Sequence, residues 1–573
     1  MKFNLTIQYE DIFDGPKPIL LDLISDIPSY TILGILSYMN SQLYLSDSIE
    51  YQGRILNILL QRQSQPSKYK VLSSIMDFKR KCSDQEYSIF SRLHIKKFIH
   101  FELLNFREFE IVDTTPEQEL NFFKAYLIIA TKDSSLSQEV YFNESRKNEG
   151  DFFPIYTWPM LIGQLDSTII VNPFFNVLKA VCLLNYLQWD TSYSEYVIDF
   201  LKKNKQISSW DYCMSLYKAV ELGWKRDEDG IKPYYIKCEE NYKALYNNLS
   251  VDPKSYSCKK SEDNFNYLKL KAKPLFYHNE KYIVLDRNFI ANKIYDGLIF
   301  DFYNTSGIKQ EFKEFPDFKN LIGGEITEKV LFKRLLRLIL DDKHGELYFF
   351  DKNNKGEPDA YFRKGKSIVL FEIKDLLFPE RVILSNSYDE IEGEIDKKYN
   401  NKSKGTGQLL KQISKLTNIS FEDRSYDQLN IKPRNLRVYP VIIYTDMHYG
   451  MPGVSNYLIK EFNSMIDDEG LRGSFKKIND LTFINLNFLI EYSKFLRNID
   501  FIKILDELHQ VIKRKKVKSD KYISTENLFS YNESIEVIFN NLYRVAKEDS
   551  LDTDELINAL DLTRGLPEGK SKE

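Results

Sequence analysis

Apolar residues recur at three- and four-residue spacing over residues 32–45, 122–130, 174–187 and 196–201. That is the period of helices with one buried face, so residues 1–245 read as a mainly helical domain. Residues 3–7 alternate instead and predict a short strand opening a small sheet. The polar stretch 247–264 is rich in Ser, Lys and Asp and reads as a linker or a long loop. Residues 273–277 and 282–285, joined by a polar tip at 278–281, predict a hairpin, with one helix over 288–303 after it. Residues 246–310 thus form a linker carrying a small β-hairpin and a helix. From 311 to 497 the period itself alternates. A helix is predicted over 325–340, strands at 346–350, 359–363 and 367–374, a helix over 406–418, a strand at 436–444, and a strand at 482–486 leading into a helix through Tyr492. Such alternation predicts an α/β domain whose mixed sheet is flanked by helices. Residues 498–573 return to helix and end in a polar tail at 564–573.

Composition changes this picture little. A chain of 573 residues is too long for one core and implies two to four domains. Apolar residues at 43% and charged residues at 28% suit a globular chain. The net charge of −4 excludes a global basic field, so any nucleic-acid surface must be local. Cys82, Cys182, Cys213, Cys238 and Cys258 form no CxxC pair and no zinc-like spacing with His. They read as buried or idle thiols in a reducing compartment. The N-terminus lacks a signal-peptide core, and the densest apolar run, 177–189, is interrupted by Lys179 and Asn185. A cytoplasmic protein with no membrane contact is expected.

Residues 356–375 carry the chemistry. Pro358-Asp359 precedes an apolar strand ending Glu372-Ile373-Lys374. Glu372 and Lys374 share a strand face. Residues 368–371 are apolar on both faces, which describes a central strand covered on both sides. Charges at its buried end need partners. The two could pair with each other, but neighbours two apart on a strand mostly run parallel. The turn at 363–366 makes a hairpin that brings Asp359 beside Glu372. Hard oxygen ligands of this kind select magnesium or manganese. Lys374 would then serve the attacking water or the crowded phosphate.

Pro358-Asp359 followed by Glu372-Ile373-Lys374 resembles the signature of the PD-(D/E)XK nuclease superfamily, over residues 320–495. The resemblance implies a restriction-endonuclease-like fold, a catalytic set of Asp359, Glu372 and Lys374, and Mg²⁺ or Mn²⁺ held by Asp359 and Glu372. In that superfamily a preceding helix often adds an acid. Glu328 shares a helix face with Leu331, Phe332 and Leu335 and is the candidate third metal ligand, ahead of Glu325. A basic or Gln-bearing helix often follows. Here Leu409, Ile413 and Leu416 form its core face, and Gln408, Lys411, Gln412 and Lys415 its polar stripe. Residues 396–416 hold six lysines and one acid, a strip suited to a nucleic-acid backbone through Lys404, Gln408, Lys411 and Lys415. The Gln-xxx-Tyr form of this helix is absent, since Gln412 stands where Tyr would.

The resemblance further implies a DNA substrate and, in the manner of restriction or abortive-infection nucleases, a role in bacterial defence. The helical N-terminal domain would sense, recognise or oligomerise. Three alternatives stay open: a repair or recombination nuclease on structured DNA, an RNA-cleaving enzyme, and a non-catalytic nucleic-acid-binding scaffold. Lys364-Gly365-Lys366-Ser367 lacks the first glycine of a phosphate-binding loop and precedes a strand, so it is set aside. Asp446 and His448 read as turn residues. The basic run 513–518 reads equally as a nucleic-acid contact and as a solvated helix end.

Overall fold

The computed structural model describes residues 5–564, apart from 83–85, 110–112, 146–151, 228–229, 238, 257–267, 342–344, 351–355, 419–420, 422, 424–425, 427–430 and 522–524. The architecture is mixed α/β. The chain forms two compact units. One comprises residues 1–143, 164–180 and 193–307, the other 144–163, 181–192 and 308–573.

The first unit is built on helices. Helix α1 (Ser29–Leu43) packs on α2 (Arg92–Leu104). Beside them lies an antiparallel sheet ordered β1 (Tyr235–Lys237), β3 (Lys281–Val284), β2 (Leu275–His278), so the expected hairpin is present. Leu5–Thr6 pairs in parallel with Tyr87–Ser88, while Phe3 and Asn4 lie outside the described residues. Of the two readings, linker or long loop, the polar stretch is a packed loop from Leu249 as far as Tyr256. Leu249, Val251 and Tyr256 are buried there, and 257–264 lie outside the described residues. The single helix expected over 288–303 is two, Arg287–Lys293 and Asp296–Thr305. Tyr295 leaves helical backbone between them (φ −127°, ψ −66°), two residues before Gly297. Asp286 caps the first of these helices by accepting from Phe289 N–H, and its other oxygen accepts from Asn40 and Arg92. Burial pushes Asp286 up, but Lys96 and Arg92 outweigh it and hold the carboxyl below its usual range.

The second unit holds a six-stranded mixed sheet. Its strands are β4 (Glu346–Phe349), β5 (Ala360–Lys364), β6 (Ser367–Lys374), β7 (Arg437–Tyr444), β8 (Lys477–Ile478) and β9 (Thr482–Asn485). The order is β8-β7-β6-β5-β4, with β9 also on β7. β4, β5 and β6 run antiparallel in succession, and β6 and β7 pair in parallel over all eight residues. Lys364 pairs with Ser367, so the rejected phosphate-loop segment is a hairpin turn. The apolar residues of β6 are buried on both faces, as its unbroken run of Ile, Val, Leu and Phe requires.

Pro440 stands in the middle of β7, where a missing N–H would break a ladder. Val438 C=O accepts from Asn479 N–H on the outer edge, so Pro440, two residues on, faces that same edge. It does so in the gap between the partners of β8 (Arg437, Val438) and β9 (Val441 to Tyr444), where nothing is lost.

Helix α3 (Phe315–Leu321) runs through a π-helical segment, Ile322–Phe332, into α4 (Lys333–Leu340). The helix expected over 325–340 is therefore present, but its first half is widened. α5 (Tyr388–Tyr399) and α6 (Thr406–Lys415) lie between β6 and β7, and α7 (Val454–Asp468) follows β7. α8 (Phe501–Lys521) packs Phe501 near Phe371. Cys82, Cys182 and Cys213 are buried free thiols, and Cys238 and Cys258 lie outside the described residues, as do 565–573. Among the described residues no single helix is long and apolar enough to cross a membrane. One bent pair, Phe153–Thr168 with Pro173–Trp189, has the length and composition only.

Phe371 is fully buried on β6 between Phe332 and Phe501. Phe371→Ala is expected to destabilise this unit by about 3–5 kcal/mol. A lowered urea midpoint, followed by tryptophan fluorescence or circular dichroism, checks it.

Candidate active site

The β5–β6 pairing positions the first two acids. Ala360 pairs with Phe371, and Asp359 N–H donates to Phe371 C=O at 3.0 Å. Extending that register sets Asp359 across from Glu372, on the same face. Asp359 Oδ2 accepts from Ile373 N–H at 2.8 Å, so the backbone of the partner strand fixes its carboxylate. Among the described residues Asp359 Oδ1 accepts no hydrogen bond.

Glu372 is fully buried. Its Oε2 accepts from Lys374 Nζ at 2.9 Å, so the two same-face residues do pair, contrary to the parallel course expected of them. The flexible lysine stem bends back because the buried carboxylate has few other donors. The other oxygen, Oε1, accepts from Gln412 Nε2 on α6. Gln412 also donates to Glu357 C=O at 3.2 Å, while its own Oε1 is buried with no partner. Gln412 was expected on a solvent-facing stripe, yet it is buried. It borders the Leu409–Ile413–Leu416 face, and its length lets the amide reach inward. That position beside an apolar stripe was the available signal.

Burial pushes the Glu372 carboxyl up, and the neighbouring Asp359 carboxylate pushes it further, to about 8, against the opposing Lys374 and Gln412. Burial pulls the Lys374 ammonium down, but Glu372, Asp359 and Glu328 together hold it above its ordinary value. Burial and Asp359 thus oppose charge on Glu372, while the surrounding acids favour the Lys374 ammonium.

A cleft of about 1290 Å³ opens over this cluster. Asp359, Lys374, Gln412 and Glu328 line it, whereas Glu372 lies beneath, screened by Lys374 and Gln412. Glu328 is 4% exposed and faces inward from the π-helical segment. Glu325 instead pairs with Lys329 at 2.7 Å and is half-exposed. Lys411 and Lys415 line the cleft, joined by Lys402 and Lys319. Lys404 does not line it and is exposed in the short strand Lys404–Gly405, paired with Asn401. Gln408 lines it, but its side-chain oxygen accepts from Gly405 N–H and caps α6. Gly405 and Gly407 permit this entry to α6. A Cβ at Gly405 would meet Tyr399 C=O at 2.2 Å, and one at Gly407 would meet Asn401 C=O at 2.3 Å.

Asp375 and its partners were not foreseen. The Asp375 carboxylate accepts from Thr327 (2.7 Å), Thr445 (2.9 Å) and the Lys319 ammonium (2.6 Å). Burial raises it, but Lys319 and the two hydroxyls hold it below the usual carboxylate range. One side chain thereby ties α3, the π-helical segment and the ends of β6 and β7 together. Asp446 accepts from His448 and from Phe378 N–H, and neither Asp446 nor His448 lines the cleft.

The donor set fits a hard divalent cation in part. Two carboxylates share one face, Asp359 Oδ1 is open, the Gln412 Oε1 is orphaned, and Glu372 retains lone pairs beyond its two hydrogen bonds. Among the described residues, no three His, Cys, Asp or Glu stand together as a metal cluster.

The raised Glu372 has a stability consequence. Its proton is held more tightly in the folded chain than at the ordinary 4.5. The contribution of the neutral carboxyl is therefore complete below pH 4.5 and is lost as pH rises through about 8. Glu372→Gln removes this loss. The variant should melt above the parent at pH values beyond 8, with the difference vanishing below 4.5, as thermal melts across that range will read. Compared with known proteins, the chain matches no family model, no curated protein and no solved structure.

Proposed function

We propose that the second unit is a metal-dependent nuclease that hydrolyses phosphodiester bonds of DNA, with a restriction-endonuclease-like, PD-(D/E)XK arrangement. The observation that carries this reading is the convergence of Asp359, Glu372 and Lys374 at the end of a central strand, beneath a cleft with lysines on its rim. The antiparallel β4–β5–β6 run, followed by a helical crossover to parallel β7, supports the same resemblance.

Asp359 and Glu372 would hold Mg²⁺ or Mn²⁺, with Glu328 behind them. When bound, the ion supplies Lewis acidity and an activated water. The chain's own groups do the rest. Lys374, kept cationic by three acids, neutralises charge growing on the phosphate oxygens. Ile373 N–H holds Asp359 in place. Gln412 orients Glu372 as an outer partner of a ligand. Lys411 and Lys415 hold the backbone. DNA as substrate, and a part in bacterial defence, rest on the superfamily resemblance alone.

The screening of Glu372 by Lys374 and Gln412 favours one second reading, a nucleic-acid-binding scaffold without catalysis. The two part in one assay, in which plasmid, single-stranded DNA and RNA are incubated with Mg²⁺ or EDTA. Mg²⁺-dependent cleavage is expected, with Asp359→Ala inactive and Lys374→Ala slowed about 10²–10⁴-fold. Cleavage surviving both substitutions would sink the site assignment, and DNA bound but never cut would select the scaffold. Gln412→Leu is expected to lower activity about 10–100-fold, with partial recovery at raised Mg²⁺. A titration of rate against Mg²⁺ reads that shift directly.

A further inference from the structure

The most basic segment of the chain lies outside the cleft. Helix α8 buries Ile504, Leu505 and Leu508 along its first half. Its second half carries Lys513, Arg514, Lys515, Lys516 and Lys518, and no acid occurs between Glu507 and Asp520. Lys515 pairs with Glu533 at 2.6 Å. The other four are exposed and, among the described residues, have no carboxylate partner. None of the five lines the cleft.

A helix C-terminus favours a cation or two in its last turn through the backbone dipole. It does not account for five cations within six residues, whose i,i+3 and i,i+4 neighbours repel. Some exposed helix cations elsewhere are paired. On the helix Gln65–Lys81, Lys70 pairs with Asp14 and Arg80 with Asp77. The α8 run lacks such compensation, and a polyanion would supply it.

We propose that this end of α8 is a second nucleic-acid site, gripping the backbone away from the cleft. The choice of nucleic acid as the polyanion rests on the nuclease reading. An anionic membrane is disfavoured because the apolar face of α8 is already buried and Val517 is the single exposed apolar side chain of the run. A backbone grip needs no base contacts, so binding here is sequence-independent and salt-sensitive.

The full chain with Lys513, Arg514, Lys516 and Lys518 all changed to Glu tests this, beside the same four changed to Gln. Fluorescence anisotropy with a labelled long duplex, over a salt series, reads affinity without any cleavage step. Loss of about 10–100-fold in affinity is expected, with a salt slope shallower by about three to four, since each lost phosphate contact removes about 0.9. The Gln variant should fall between, and cleavage of a short oligonucleotide should be unchanged. Unaltered affinity and slope in a variant with parent-like circular dichroism overturns the proposal. So does parent binding to phosphatidylserine vesicles that exceeds binding to DNA and is lost with the same changes. If the parent cuts nothing yet the slope falls as stated, the nuclease reading fails and this site stands.

Discussion

A carboxylate buried at the end of an apolar central strand is the constraint around which the second unit is organised. β6 is covered on both faces, so Glu372 has no water to turn to. An ionised group there costs several kcal/mol unless charge and hydrogen bonds offset it. Lys374 supplies the charge, Gln412 a donor, and Asp359 a second acid that makes matters worse. Two acids held together against electrostatic preference, with a third close behind, leave the cluster deficient in positive charge. A proton on Glu372 is one remedy for that imbalance.

The surrounding scaffold keeps that arrangement in place. Asp375, one residue beyond the lysine, accepts from three elements at once and so holds the π-helical segment against the strand ends. π-helical geometry is uncommon and often marks functional positions. Here it carries Glu328 into the cleft. The Gly405 and Gly407 contacts bring α6 close enough for Gln412 to reach Glu372. Each of these contacts positions a group that itself lies at or next to the cleft.

Much of this was legible in the sequence. The shift from helical to alternating period announced the mixed sheet, and the turn at 363–366 announced the hairpin that sets Asp359 opposite Glu372. Glu328 was legible because its helical neighbours at i+3, i+4 and i+7 are apolar. Other features had no local signature. Gln412 looks like any polar residue of an amphipathic helix until the strand end beneath it is known. Lys319 and Asp375 lie 56 positions apart by number and meet only because the helix folds over the strand. The break at Tyr295 is marked only by Gly297, which lies inside the second helix and not at the break itself. Lys404 and Lys411 carry the same charge in the same strip, yet Lys411 lines the cleft and Lys404 faces solvent from a short strand.

By itself the sequence determined which strand is central and which acids and lysine share one of its faces, since both follow from the two-residue period of a strand and from apolar runs that demand burial. It also determined the local charge of 513–518, which no packing can remove. Only the tertiary structure decided the protonation balance of Glu372, the pairing of Lys374 and the role of Gln412. Those depend on burial and on distances between groups remote in the chain, and the energy of a charge is set by its surroundings rather than by its neighbours in sequence.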